Sequence, residues 1–411
     1  MRSLISFAAL FLSIALVQLG IGVLGPLDAL AGAEAGFSTR EIGLLGSAHF
    51  LGFFVGCVAA PMLVARAGHA RAFATLTAIG VVSILLHAVV VDAYAWMAFR
   101  VAGGLTVAGS YTVVESWLQA KLQNANRARV ISTYRIVDMS GAVGSQLLLI
   151  QLDPGVYVSY IVVAIIAVVS LTPLSLTTAR PPPSPERPRL QPLRALMLSP
   201  LGALGVIVVG ATSSSFRMVS PIYASELQLS RSDLAYFLAA AMLGGALAQP
   251  GVGWLADKFD RRHMLIWLSV AAIAVCLTLS TGVMTSSSTL LITGSLLFGM
   301  ATMPLYSVSA AHANDHCPQD FVVELNASLM FMFAVGAIVS PTVAAELISL
   351  FGPNALWLYI SVAHVGLIVF SLYRMTRRAS PAERKEYRWL PRTTMVLGRL
   401  FDRSEEDKKA P

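Results

Sequence analysis

Residues 253–262 read GWLADKFDRR, in which a glycine, two acids, a lysine and two arginines stand between long apolar stretches. A related loop occurs 192 residues earlier, where PMLVARAGHAR begins at Pro61 against Gly253. Working outward, the chain reads GLTVAGSY from Gly104 to Tyr111 and GMATMPLY from Gly299 to Tyr306, an offset of 195. Gly141 and Gly336 share that offset within apolar segments of similar texture. Three matches in one order imply two homologous halves. Membrane proteins built this way are typically transporters, with the substrate site between the halves near the bilayer midplane.

Composition supports the membrane assignment. Residues of the set AVILMFWYC form 56% of the 411 and DEKR only 12%, where a soluble domain carries about a quarter charged residues. Twelve stretches approach the roughly 20 apolar residues that a spanning helix needs: about 5–30, 40–64, 72–91, 94–119, 130–151, 156–178, 199–223, 232–256, 264–283, 289–311, 323–349 and 354–375. The first is too long for a cleaved signal peptide. Placing both termini in the cytoplasm puts 24 of the 29 lysines and arginines on that side. It leaves Arg40 and Arg231 opposite, and Arg100, Arg135 and Arg217 within spans, which is the positive-inside bias. The net charge of +7 therefore reflects topology and does not indicate nucleic-acid binding.

The expected fold class is an all-α membrane protein of two pseudo-symmetric six-helix bundles. The first bundle covers 1–178 and the second 199–375, joined by a Pro/Arg-rich cytoplasmic linker over 179–198 and followed by a cytoplasmic tail over 376–411. Proline-rich segments act as semi-rigid extended spacers. The expected setting is the inner membrane of the cell, with the lipid bilayer as surroundings and the monomer as working unit. Cys57, Cys276 and Cys317 match neither a disulfide framework nor a zinc spacing. No P-loop or Ser/His/Asp constellation is present, so no cofactor, metal or enzymatic activity is expected. A gradient or simple equilibration would drive any transport.

The loop at Gly253, with Asp257, Lys258, Arg261 and Arg262, resembles the GxxxD(K/R)xx(R/K)(R/K) motif of the major facilitator superfamily. Asp260 stands where that family usually has glycine; in the earlier loop Pro61 and Ala65 replace the glycine and aspartate while Arg66, Gly68 and Arg71 remain. RVAGGLTVA, with Arg100, Gly104 and Ala108, is similar to the family's RxxxGxxxA pattern. Together with Val113-Val114-Glu115-Ser116, it is similar to the YcaD-like bacterial subfamily. The resemblance covers about 5–375 and implies alternating access, with charges at helix ends holding the cytoplasmic side shut. It implies latch pairs of Asp257 with Arg127 or Arg129, and of Arg66 or Arg71 with Glu324, each contributing about 1 kcal/mol if exposed. It also implies that spans 1, 4, 7 and 10 line the pathway. The Gly-Pro motif of the family's proton-coupled drug exporters is missing from span 5, which reads GAVGSQLLL.

Charges inside spans cost several kcal/mol unless paired or wetted, so they are the candidate site residues. Glu115, Arg135 and Asp138 should lie at similar depth, either as a closed structural cluster or as a proton carrier led by Glu115 and then Asp138. Arg100 and Arg217 suit an organic anion, since guanidinium groups grip carboxylates bidentately, or else each is neutralised by a neighbour. Asp28 is expected as the gating counter-charge of Arg217. Gln18, His49, Gln146, Gln249 and Tyr306 could contact a hydrogen-bonding solute. His87 and His364 fall in spans that the resemblance turns toward lipid and are left out. Ser213, Ser214 and Ser215 are expected to bond i−4 carbonyls and bend span 7. The favoured function is a secondary carrier for a small polar, anionic solute, coupled to protons. The alternatives are export of lipophilic compounds, for which Met218, Met242, Met300, Met303, Met330, Met332 and Phe333 would form the pocket, and a membrane sensor or assembly partner that transports nothing.

Overall fold

The computed structural model of the chain describes residues 7–122, 127–176, 190–281 and 287–377. Most of the expected linker and nearly all of the expected tail lie outside these residues, as does the side chain of Arg127. Every element among the described residues is helical. The helices are α1 Ala8–Gly22, α2 Leu24–Glu34, α3 Thr39–Ala67, α4 His69–Val89, α5 Ala93–Lys121, α6 Arg127–Leu148, α7 Tyr157–Val169 and α8 Leu171–Ser175. They continue as α9 Pro192–Leu198, α10 Pro200–Glu226, α11 Arg231–Lys258, α12 Arg261–Leu279, α13 Ser288–Thr302, α14 Leu305–Asp315, α15 Val322–Phe351 and α16 Ala355–Arg377.

Ten segments are long and apolar enough to cross a membrane; α1 with α2, α7 with α8, and α13 with α14 each form one of these. Helices α5 and α6 add 29 and 22 residues and carry the buried ions Arg100, Glu115 and Arg135. Outward-facing apolar side chains such as Trp254, Leu247 and Val362, each about 60% exposed, would be a liability in water. In a bilayer they face lipid.

Local chemistry marks the helix starts. Ser38 and Glu41 exchange bonds at the head of α3, Glu41 N–H donating to Ser38 Oγ at 3.2 Å and Ser38 N–H to Glu41 Oε2 at 2.8 Å, a capping box. Ser199 caps α10 ahead of Pro200. Asp260, the departure from the family motif, caps α12 by accepting from Arg262 N–H at 2.9 Å. Its counterpart at the 192-residue offset is Gly68, which begins α4 at φ +80°, a backbone conformation that favours glycine.

The chain divides into two compact units, one within Met1–Phe37 and Ala48–Pro188, the other within Ser38–Ser47 and Arg189–Arg392. In the first, α1 packs mainly on α6, and α4 on α5 and α7. In the second, α10 packs on α15, α11 on α13, and α12 on α16. The sequence repeat is visible in how the backbones cross. A Cβ on Gly104 would run into the His49 carbonyl oxygen, and one on Gly299 into that of Ala241. Gly52 meets the Val101 carbonyl and Gly244 that of Leu296 in the same way. Each pair keeps the offsets of 192 and 195 read from the sequence. Helices in lipid associate through such close approaches at small residues.

Ser214 and Ser215 of α10 do not bond i−4 carbonyls. Ser214 Oγ donates to the Ala211 carbonyl at 3.2 Å, an i−3 bond, and Ser215 pairs with Ser340 on α15. Helix α10 runs unbroken from Pro200 to Glu226.

Candidate functional site

Helices α1, α5 and α6 bring together a polar cluster inside the first unit. Arg135 Nη2 lies 3.6 Å from Glu115 Oε1, and its Nη1 lies 3.7 Å from Asp138 Oδ2. The Arg135–Asp138 pair is the i, i+3 neighbour relation of one helix face. The Tyr134 hydroxyl donates to Glu115 Oε1 at 2.9 Å, and the Arg135 guanidinium lies 4.9 Å from the Tyr134 ring centre. The Tyr111 hydroxyl bonds Asp138 Oδ1 and reaches Gln18 Oε1 at 3.1 Å, so Gln18 joins the cluster from α1. Glu115 is fully buried while Asp138 keeps 14% of its side chain exposed, so Asp138 stands at the edge of the cluster. Tyr111 and Tyr134 had no place in the sequence reading. Tyr111 ends the repeated GLTVAGSY segment, and that position was its only signal.

The second unit shows that the fold does not require these charges. At the 195-residue offset, Glu115, Arg135 and Asp138 correspond to Ala310, Met330 and Phe333. Tyr111 corresponds to Tyr306, whose ring packs edge-on against Phe333 at 5.8 Å. The same crossing is thus built once from apolar groups and once from ions.

A second cluster joins α2, α4, α5 and α7. Asp28 Oδ2 lies 3.2 Å from Arg100 Nη1 and 3.6 Å from His87 Nε2, and Asp28 Oδ1 accepts from the Tyr160 hydroxyl at 3.1 Å. Both Asp28 and His87 side chains are 1% exposed, and Arg100 is 3%. Within its own unit Asp28 pairs with Arg100, because α2 and α5 present the two side chains at one level. One expectation is corrected. His87 faces the protein interior and not lipid. His364 is likewise buried, its Nδ1 3.3 Å from Ser269 Oγ.

Within the motif loop, Asp257 lies 3.6 Å from Arg261 one turn on, an i, i+4 pair within the second unit. Arg261 is fully buried, donates to the Ala311 carbonyl at 3.0 Å, and bonds Asp315 at the end of α14. Asp315 was not legible as a partner because it lies 54 positions away. Lys258 is exposed over the Trp254 ring at 5.0 Å. Arg66, Arg71 and Arg129 are exposed, and Glu324 is half-buried in the first turn of α15. Of the remaining candidates, Gln146 is buried and donates to Ser145 Oγ at 3.0 Å, and His49 stacks edge-on against Phe50 at 5.4 Å. Gln249 is buried in α11 and Arg217 half-buried in α10.

The sequence profile described as Major Facilitator Superfamily matches residues 10–202 and 202–404, once per half. The chain belongs to the major facilitator superfamily. Among curated relatives it is 25% identical over 368 residues to a protein named "Uncharacterized MFS-type transporter YcaD" from Escherichia fergusonii, covering 89% of this chain and 94% of that one. The protein of the same name from Salmonella typhimurium is 27% identical over 362 residues, covering 86% and 92%. Among solved structures, the nucleoside transporter NupG superposes with TM-score 0.71 at 15% identity, covering 92% of this chain and 99% of that one. A bacterial homologue of the human lysosomal transporter Spinster gives TM-score 0.71 at 16% identity, covering 92% and 99%. The D-xylose–proton symporter gives 0.68 at 13% identity, covering 95% and 99%. At these identities the structural likeness establishes the fold. The chain is thus a multi-pass membrane protein of a transporter superfamily.

Proposed function

We propose that this superfamily member is a secondary carrier that moves a small polar, anionic solute across the inner membrane of the cell by alternating access coupled to protons. The observation that carries this reading is the Glu115–Arg135–Asp138 cluster, present in one half and replaced by Ala310, Met330 and Phe333 in the other. Two carboxylates sharing one arginine leave one negative charge unmatched, so the cluster suits proton uptake and release without loss of its ion pair. Glu115 is the first proton carrier and Asp138 the second, with Arg135 positioned between them. Gln18, His49, Gln146, Gln249, Tyr306 and Arg217 supply solute contacts, and Arg100 joins them when Asp28 releases it. Asp257, Lys258, Arg261, Arg66, Arg71, Arg129 and Glu324 act in gating at the cytoplasmic side, where both termini and the 179–198 linker lie. Among the structural neighbours, one is named a nucleoside transporter and another a D-xylose–proton symporter, which agrees with a polar solute and proton coupling. Of the seven residues a lipophilic pocket would use, Met218, Met330, Met332 and Phe333 are buried and Met242, Met300 and Met303 half-buried.

The test begins with thermal stabilisation of the purified chain by carboxylates, amino acids, sugars and lipophilic cations, since a ligand that binds only the folded state raises its apparent stability. The stabilising solute is then followed in proteoliposomes. Glu115→Gln should keep solute exchange at equal pH and lose accumulation driven by an imposed pH gradient. Accumulation equal to wild type in that variant removes the proton role. Stabilisation by lipophilic cations alone replaces the polar-solute reading with export.

A further inference from the structure

The Asp28 cluster contains a group that the proposed function leaves unused. The His87 Nδ1 lies 2.7 Å from the Ser83 carbonyl oxygen. A carbonyl only accepts, so Nδ1 carries the hydrogen and Nε2 is the basic nitrogen, the tautomer being set by this second bond. That Nε2 is buried, has no hydrogen-bond partner, and points at Asp28 Oδ2 from 3.6 Å. Two lone pairs facing each other at this distance gain nothing until a proton sits between them. With the proton in place, a charge-assisted N–H···O bond of about 2.7–2.9 Å forms.

The oxygen in question is the one that Arg100 holds. Asp28 Oδ2 is 3.2 Å from Arg100 Nη1, while Oδ1 accepts from the Tyr160 hydroxyl, so an imidazolium would share with the guanidinium the one negative charge that holds Arg100. The ionisable groups against the ring among the described residues are Asp28 from α2, Arg100 from α5 and Tyr160 from α7. Three aromatic rings also pack against it. The ring centres of Trp96, Phe99 and Tyr160 lie 5.1, 5.3 and 5.6 Å from that of His87, the last nearly parallel at 10°. Aromatic faces attract a cation, so this box receives an imidazolium as well as a neutral imidazole. The second half again lacks the chemistry. At the matching offsets of 192 and 195, Asp28, His87 and Arg100 correspond to Ser220, Leu279 and Ser295, and Leu279 packs on Gly294 where His87 packs on Phe99. The position accepts an apolar side chain, so an imidazole there is not a packing necessity.

We propose that His87 is a proton-binding site of this carrier: a solvent proton taken on Nε2 pairs the imidazolium with Asp28 and releases Arg100 for an anionic solute. No bond breaks in this step beyond the transfer of one proton from water to nitrogen, and the charge of the cluster rises by one, which the incoming anion balances. The role of Arg100 rests on the anion-carrier reading above. The protonation of His87 does not.

The test is nitrogen NMR of the full chain labelled at its seven histidines and held in lipid nanodiscs without solute, titrated from pH 8.5 to 4.5. The His87 signal is assigned by its loss in His87→Gln and, should that variant misfold, by the shift it undergoes in Trp96→Leu, which removes an adjacent ring current. The expected result is a neutral Nδ1–H tautomer at high pH that takes a second proton within the range. In Asp28→Asn that titration should move down by about one to three pH units, the effect of removing an opposite charge at this distance. A His87 signal that stays neutral throughout, or titrates identically in wild type and Asp28→Asn, overturns the proposal. Because no solute is present, failure here leaves the carrier reading standing, and failure of transport leaves this result untouched.

Discussion

Replacing Asp28 with serine isolates the energetics of the buried ion pair. Arg100 is 3% exposed and lies 3.2 Å from the carboxylate, so the substitution leaves a guanidinium in a desolvated place without its principal counter-charge. At 3.2 Å and an effective dielectric constant of about 20, the direct attraction is about 5 kcal/mol. Breaking a buried pair by removing one partner typically destabilises by about 3–5 kcal/mol, consistent with that figure. The second half indicates the remedy, because its equivalent positions are Ser220 and Ser295. The double variant Asp28→Ser/Arg100→Ser copies that arrangement and should recover half or more of the loss, since neither ion then remains. The assay is equilibrium unfolding of the full chain in mixed micelles with increasing denaturing detergent, read by helical circular dichroism for wild type, both single variants and the double. Asp28→Ser within about 1 kcal/mol of wild type, or single losses that simply add in the double, would refute the reasoning, because a true pair must show coupling.

Three other outcomes follow from the same structure. Gly104→Leu and Gly299→Leu should both prevent recovery of a monodisperse protein, because each new Cβ meets a backbone carbonyl that cannot move aside; Gly103→Ala, with nothing closer than Ser83 Oγ at 4.0 Å, should behave as wild type on size-exclusion chromatography. Tyr134→Phe removes a 2.9 Å hydrogen bond to the fully buried Glu115 and should lower the unfolding free energy by about 1–3 kcal/mol in the same micelle titration. Arg261→Lys should not restore what Arg261→Met loses in thermal stability, since one ammonium cannot take the place of Nη1 between the Ala311 carbonyl and Asp315 and of Nη2 beside Asp257 together; full rescue by lysine would show that charge alone suffices there.

The amino-acid sequence by itself determined the solvent, the repeat and the family. Apolar runs of spanning length, the bias of Lys and Arg to alternate loops, and the matches of 253–262 with 61–71 and of Gly104 with Gly299 are all local or periodic signals that need no folding to be read. The repeat went further than expected, since the glycines that carry it mark the same backbone crossings in both units. The grouping of Glu115, Arg135 and Asp138 was legible because two of the three share a helix at i, i+3. Their hydrogen-bond donors were not, as a tyrosine in an apolar run looks like packing until its hydroxyl is placed. Only the tertiary structure decided which ion answers which. Asp28 could pair with either arginine, and Arg261 with several acids, because pairing depends on the depth and rotation at which separate helices pack. His87 was set aside on the expectation that its helix faces lipid, but one face of any packed helix turns inward, and it is on that face that the imidazole meets Asp28.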